Sequence, residues 1–96
     1  MVIVVGEIAV DPDEHDQLLA LVDAVENASR QEQGCLSYDF WVHRNERGLV
    51  HVSERWSDAE ALAAHVAGGA YRAFARGLKG LAIRKVDIQQ HVVTDA

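Results

Sequence analysis

The sequence predicts a ferredoxin-like α+β fold, in which an antiparallel sheet carries its helices on one face. Three observations support this fold class. Apolar residues follow a strand pattern in four segments and a helical pattern in two, the elements occur in the order β-α-β-β-α-β, and 96 residues suffice for one domain. We therefore expect residues 1–96 to form a single domain.

The first two elements are a strand and an amphipathic helix. Residues 2–10, VIVVGEIAV, are nearly all apolar, which is typical of a strand covered on both faces. Asp11 is a helix N-cap candidate, and Pro12 suits the first helical position. We expect His15 to be exposed in the first helical turn. Apolar residues then recur at helical spacing until Gly34, at Leu18, Leu21, Val22, Val25 and Ala28.

Two strands joined by a polar turn follow, over residues 35–43 and 49–56, and predict an antiparallel hairpin. The alternation of residues assigns each strand two faces. One face is expected to carry Leu36, Tyr38, Phe40 and Val42 with Val50, Val52, Glu54 and Trp56. The opposite face is expected to carry Cys35, Ser37, Asp39, Trp41 and His43 with Leu49, His51, Ser53 and Arg55.

The last two elements are a helix and a strand. Residues 57–60, SDAE, match a capping box in which the serine hydroxyl caps the helix and a glutamate lies three residues on. Gly68-Gly69 interrupts the helical pattern, which resumes over residues 71–78. Residues 83–93 predict the final strand.

The sheet face opposite the helices indicates an interface. In this fold that face should be polar if the protein is a monomer. Here it would carry Cys35, Trp41 and Leu49 together with alternate residues of the apolar first strand. We therefore expect a homodimer through the sheet face, although a register shift of one residue would swap the faces.

Charge and composition exclude several classes of partner and cofactor. The net charge of −6 argues against nucleic acid and anionic membranes as partners. No segment approaches the roughly 20 apolar residues of a membrane span. The lone Cys35 cannot form an internal disulfide, so the cytoplasm is the expected location. Without a G-x-G-x-x-G motif, a phosphate-binding loop or metal-ligand spacing, we expect neither a nucleotide cofactor nor a metal.

Several short motifs resemble one known family. The segment from Gly34-Cys35 to Tyr38 resembles the G-C-x-x-Y/F opening of the second strand in the antibiotic biosynthesis monooxygenase family. Glu54-x-Trp56, followed by Leu62-x-x-His65, resembles the family's E-x-W…L-x-x-H segment, and Phe74 matches the aromatic that closes the second helix. The resemblance covers nearly the whole chain. It implies a dimeric α+β barrel with one pocket per subunit, between helices and sheet.

The resemblance also implies a chemistry. Characterised members of the family oxidise small aromatic or quinol-like molecules with O2, often without metal, flavin or haem. Haem-degrading relatives carry an axial histidine late in the second helix and an asparagine in the first strand. This chain has no histidine in residues 71–76 and has Gly6-Glu7 in the strand. We therefore expect a small aromatic substrate, O2 and no cofactor.

Glu54 and His65 are the candidate catalytic residues. Glu54 shares the predicted buried face of its strand, and a buried carboxylate must be paired or protonated. His65 lies on the predicted sheet-facing stripe of its helix. We expect the two side chains to approach one another and supply a base for a phenolic proton. Alternatively, Glu54 pairs with a neighbour and His65 is a hydrogen-bonded core histidine.

Aromatic residues are the candidate walls of a substrate pocket, which would suit a flat ligand. The candidates are Trp56, Tyr38, Phe40, Tyr71 and Phe74. Arg72 is a candidate for steering an anionic substrate. Plain core packing is the alternative for Phe40 and Phe74, and a solvated surface position is the alternative for Arg72.

Three functions fit these observations. The first is a cofactor-independent monooxygenase acting on a quinol or polyketide-like phenol. The second is a non-enzymatic binding or stress-associated module on the same scaffold, whose pocket holds a small aromatic ligand or nothing. The third is an isomerase or decarboxylase of a small oxygenated metabolite, with Glu54 and His65 as acid and base.

Overall fold

A computed structural model describes residues 1–94, and its four strands form one antiparallel sheet. The strands are β1 (Val2–Val10), β2 (Cys35–Val42), β3 (Leu49–Trp56) and β4 (Ile83–Val92), in the spatial order β2-β3-β1-β4. The helices are α1 (His15–Ser29), α2 (Ala59–Ala67) and α3 (Gly69–Lys79). This arrangement confirms the predicted ferredoxin-like α+β fold, with the second helix divided in two at Gly68.

The hydrophobic core lies between the sheet and the helices. Alternate residues of β1 and β3 face the helices and are buried, and Leu18 of α1 and Trp56 of β3 are completely inaccessible. The molecule is only 17 Å thick along its shortest axis. That thickness corresponds to one sheet and one layer of helices, so nothing in residues 1–94 covers the opposite sheet face.

A β-bulge at the start of β2 changes one predicted face. Cys35 pairs with Trp56 and Ser37 pairs with Arg55, which leaves Leu36 as an extra residue. The bulge turns Cys35 towards the helices, where it packs against the core. The prediction that Cys35 lies on the opposite face is therefore wrong, because one inserted residue shifts the alternation. Leu36 is exposed rather than packed beside Tyr38.

The helix caps follow the prediction at α1 but not at α2. Asp11 caps the turn Pro12–Glu14 that leads into α1 and accepts a hydrogen bond from the Asp13 N–H. At α2 the cap is Asp58, whose carboxylate accepts from the Ala61 N–H at 2.8 Å. The prediction of a serine cap is wrong because the helix begins one residue later than expected.

His15 is buried, contrary to the prediction that it would be exposed. The turn between β2 and β3 folds over the start of α1 and covers its side chain. Gly48 in this turn has a φ of +82° and donates its N–H to Nδ1 of His15 at 2.8 Å. A contact between residues 33 apart in the chain cannot be read from helical periodicity.

Within residues 1–94, none of the helices combines the length and the apolar character needed to cross a membrane.

Candidate functional site

A cavity of about 330 Å³ lies between the helix-facing side of the sheet and the helices α2 and α3. Its walls are mainly apolar, and the polar groups that reach it come from five side chains. These polar residues are Tyr38, Glu54, His65, Tyr71 and Gln90. Val86 and Ile88 of β4 also line the cavity while remaining exposed, so the cavity is open to solvent along β4.

Local structure explains how the polar groups reach the cavity. Glu54 alternates with Val52 and Trp56 on the helix-facing side of β3, and its side chain is buried among them. His65 lies in the last turn of α2. The chain leaves the helical conformation at Gly68, with ψ at 164°, and this break sends Tyr71 of α3 back over the cavity.

The structure brings together six of the eight residues predicted for the site. Cavity walls include His65, Glu54, Tyr38, Phe40, Tyr71 and Phe74. The other two do not line it. Trp56 is buried behind His65, with 4.6 Å between the ring centroids, and Arg72 is exposed on α3.

Glu54 is a buried carboxyl group with a single neutral donor. The indole Nε1–H of Trp56 donates to its Oε1 at 2.9 Å. Burial raises the pKa of Glu54 above the ordinary value, against the opposing effects of the indole hydrogen bond and of His65. The protonated, neutral form of Glu54 is therefore favoured relative to an exposed glutamate.

His65 is paired with a carboxylate that the sequence analysis did not select. Its side chain is 2% exposed, and Nδ1 lies 2.6 Å from Oε1 of Glu32. The expected direct pairing of Glu54 with His65 is therefore replaced by two separate contacts, from Glu54 to Trp56 and from Glu32 to His65. Glu32 lies in the loop between α1 and β2, where no periodic pattern marks a buried contact. The feature of the sequence that could have indicated Glu32 is its position, two residues before the Gly34-Cys35 motif.

Aromatic rings enclose His65. The ring of Trp56 lies at a tilt of 32° to the imidazole, while Tyr38 and Tyr71 meet it edge-on at 5.3 and 5.4 Å between centroids. Within residues 1–94, the buried Nε2 has no hydrogen-bond partner. Burial also raises the pKa of Tyr38, so its phenol stays protonated and cannot supply a counter-charge.

Across the part of the chain that the structure describes, no three His, Cys, Asp or Glu side chains are grouped so as to hold a metal ion. The largely apolar walls suit a flat ligand, to which Glu54, His65 and Tyr71 present polar groups.

Comparison with known proteins confirms the resemblance found in the motifs. Residues 1–77 match the family described as antibiotic biosynthesis monooxygenase. An uncharacterised protein of Synechocystis sp. is 27% identical over 94 residues, which cover 98% of this chain and 64% of that protein. This chain therefore spans less than two thirds of that relative's length.

Solved structures show the same fold. A candidate antibiotic biosynthesis monooxygenase from Deinococcus radiodurans superimposes with a TM-score of 0.91 at 26% identity, over 100% of this chain and 95% of that one. A protein from Pseudomonas aeruginosa has a TM-score of 0.87 at 29% identity, over 98% and 94% of the two chains. With more than half of its residues matched by the family profile, the chain belongs to the antibiotic biosynthesis monooxygenase family.

Proposed function

We propose that this chain is a cofactor-independent monooxygenase that oxidises a small aromatic quinol or polyketide-like phenol with O2. One observation carries the proposal: a buried histidine, His65, lines an apolar cavity, and its Nε2 has no hydrogen-bond partner within residues 1–94. A buried polar atom without a partner is costly, and a ligand hydroxyl would satisfy it. Membership of a family of monooxygenases supports the reaction class.

The cavity suits a flat, largely apolar ligand. Phe40, Phe74 and Tyr71 provide aromatic contacts, and Val4, Ile8 and Val52 line the sheet side. Burial raises the pKa of Glu54, and in its protonated form the carboxyl group would donate a hydrogen bond to a ligand carbonyl or hydroxyl oxygen. In this proposal Trp56 supports the imidazole from behind, and Arg72 acts only as a surface charge near the entrance.

In the proposed reaction the phenolic proton of the substrate moves to Nε2 of His65. The resulting anion gives one electron to O2, and the substrate radical and superoxide combine into a carbon–oxygen bond. The peroxide takes the proton back from His65 and loses water. For a CH2 group of an anthrone-like phenol, the overall change is CH2 to C=O while the second oxygen atom leaves as water.

The protein contributes position and environment, because the substrate itself supplies the electrons. Apolar walls exclude water from the reacting anion, and the cavity holds the hydroxyl against His65. Nε2 is buried, so a neighbouring side chain must shift when the ligand binds, and Tyr71, whose ring meets the imidazole edge-on, is the candidate. We place the reaction in the cytoplasm, since the lone cysteine needs no oxidising compartment.

The proposed assembly is a homodimer through the open face of the sheet. Trp41 is 55% exposed on that face, which also carries the partly buried Ile3 and Val5 of β1. A second copy would cover this apolar surface. The outer face of β4 is polar, so the apolar contact would centre on β1, β2 and β3.

The test is oxygen uptake by the metal-stripped protein with a panel of hydroquinones and anthrone-like phenols. His65→Asn keeps an amide near the position of Nδ1, where it can still bond Glu32, but removes Nε2. We expect uptake with wild-type protein and a loss of about 10²-fold or more in this variant, as for removal of a general base. His65→Ala should lose as much.

His15→Asn is the matched control, because His15 is also a buried helical histidine but does not line the cavity. Its asparagine oxygen can still accept the Gly48 N–H, and we expect unchanged uptake. Circular dichroism checks that each variant is folded. Uptake by folded His65→Asn at the wild-type rate would overturn the role of His65. No uptake by wild-type protein with any substrate would favour the ligand-binding module or the isomerase.

A further inference from the structure

We propose that Glu32 is a positioning residue that holds the neutral ring of His65 in the tautomer with hydrogen on Nδ1. This tautomer leaves the lone pair on Nε2, which has no hydrogen-bond partner within residues 1–94 and belongs to a side chain that lines the cavity. The consequence for catalysis rests on the proposed function, while the tautomer itself can be measured in the protein without any substrate.

The contact between the two side chains determines the position of the proton. Nδ1 of His65 lies 2.6 Å from Oε1 of Glu32, close to the short limit of charge-assisted N–H···O hydrogen bonds. An ionised carboxylate only accepts hydrogen bonds, so Nδ1 must carry the hydrogen whether the ring is neutral or charged. The tautomer of a histidine follows the hydrogen bond that its other nitrogen makes.

No other described side chain gives the ring a competing hydrogen bond. The ring contacts Trp56, Tyr38 and Tyr71 through aromatic packing. Glu54 bonds the indole of Trp56. Glu32 is therefore the acceptor that selects between the two neutral forms of the ring.

The loop that carries Glu32 is tied on both sides, so the carboxylate is held in place. The Glu32 N–H donates to the Ser29 carbonyl at 3.0 Å, and the Cys35 N–H donates to the Glu32 carbonyl at 3.2 Å. The Gly34 carbonyl in turn accepts the Ser57 N–H at 2.8 Å, which fastens the loop to the segment before α2. The carboxylate is 27% exposed, so it keeps partial contact with water while it meets the buried ring.

This arrangement has a direct use in proton transfer. When a ligand hydroxyl gives its proton to Nε2, the ring becomes positively charged inside an apolar site. The Glu32 carboxylate then lies against that charge and offsets the cost of burial. Glu32 does not take the proton, and Nδ1 keeps its hydrogen throughout the transfer.

Nitrogen-15 NMR of the histidine-labelled full-length protein tests the proposal, at a pH where the rings are neutral. We expect His65 to show a protonated Nδ1 and an unprotonated Nε2. His15 provides an internal standard of the opposite kind, because its Nδ1 accepts the Gly48 N–H and must be unprotonated. A His65 spectrum with the same pattern as His15 would overturn the assignment.

Glu32→Ala removes the acceptor and should shift His65 mainly to the form with hydrogen on Nε2. Glu26→Ala is the matched control: the Glu26 carboxylate likewise accepts a hydrogen bond from a distant residue, the Phe40 N–H at 2.7 Å, but not from His65. We expect its His65 spectrum to match wild type. An unchanged His65 tautomer in folded Glu32→Ala would disprove the positioning role.

Oxygen uptake separates this inference from the proposed function. Glu32→Ala should lower oxygen uptake by about 10²-fold, because a His65 ring with hydrogen on Nε2 has no lone pair there to accept the substrate proton. Glu26→Ala should leave uptake unchanged. If the spectra agree and no phenol is oxidised, the positioning role holds and the proposed reaction fails. If uptake needs His65 but not Glu32, the reaction holds and the positioning role fails.

Discussion

Two glutamates near the same histidine have different environments and therefore different chemistry. Glu54 is 7% exposed and bonds a neutral indole, whereas Glu32 is partly exposed and bonds an imidazole that can become charged. Burial without a cation favours the neutral carboxyl at Glu54. In the proposed site these environments would assign Glu54 the part of hydrogen-bond donor and His65 that of base.

At the residue scale, Glu54→Gln should stabilise the protein at neutral pH. The pKa of Glu54 is raised above 4.5 in the folded state, so the folded state binds this proton more tightly than the unfolded chain. The free energy of unfolding therefore falls as the pH rises from the unfolded pKa through the folded pKa. Glutamine cannot ionise, and its amide oxygen can still accept the Trp56 indole N–H.

Thermal melts between pH 4 and pH 8 measure this effect. We expect the Tm of Glu54→Gln to exceed that of wild type by a few degrees near pH 7. The difference should shrink below about pH 4, where the Glu54 carboxyl becomes protonated in the unfolded as well as the folded state. Glu60→Gln, on the exposed side of α2, is the control. A Tm difference for Glu54→Gln that does not change with pH would contradict the burial argument.

At the scale of elements, a tight contact positions the loop before β2 against α2. Gly34 has a φ of +83°, and a Cβ at this position would lie 2.5 Å from Cβ of Ala61 and 2.8 Å from Oγ of Ser57. The same loop carries Glu32, and α2 carries His65. The close approach at Gly34 therefore brings the loop that carries Glu32 against the helix that carries His65.

Gly34→Ala should destabilise the protein by about 2 kcal/mol, since a left-handed φ costs about 1–2 kcal/mol and the methyl group also displaces α2. For a domain of this size, that corresponds to a Tm lower by roughly 8–16 °C. Gly69→Ala is the control, because a Cβ there meets nothing within 4 Å. We expect it to change stability by less than about 1 kcal/mol. Equal Tm values for the two variants would show that the Gly34 contact does not constrain the loop.

At the scale of the whole molecule, the sheet has one face covered by helices and one face open. The open face combines Trp41 and the apolar residues of β1 with charged groups such as Glu7 and Lys85, which bond each other. A protein interface buries polar as well as apolar groups. A chain of 96 residues also buries only a modest core, so pairing would add stability.

Trp41→Lys should therefore convert the proposed dimer into a monomer. Sedimentation equilibrium would show twice the chain mass for wild type and the single chain mass for the variant. Val42→Lys is the control. Val42 is exposed, but it pairs with the helix-facing Val50 and so lies on the side of the sheet opposite to Trp41. A monomeric wild-type protein, or a dimeric Trp41→Lys protein, would contradict the proposed interface.

Local patterns were sufficient for the element order and for most of the buried faces. Alternation along residues 49–56 identified the inward side of β3, and helical spacing identified Leu18 and Val25 as core residues, because both follow from backbone geometry alone. The same backbone geometry predicted that Tyr38 and His65, which lie on those faces, would line a common cavity, and both line it.

Tertiary structure alone decided the features that join distant parts of the chain. The bulge at Leu36 turned Cys35 inward, the β2–β3 turn buried His15, and the loop before β2 placed Glu32 against His65. Each depends on a contact between residues many positions apart or on one inserted residue in a ladder. Periodicity reports the direction of a side chain from its own backbone, but its hydrogen-bond partner depends on how the elements pack together.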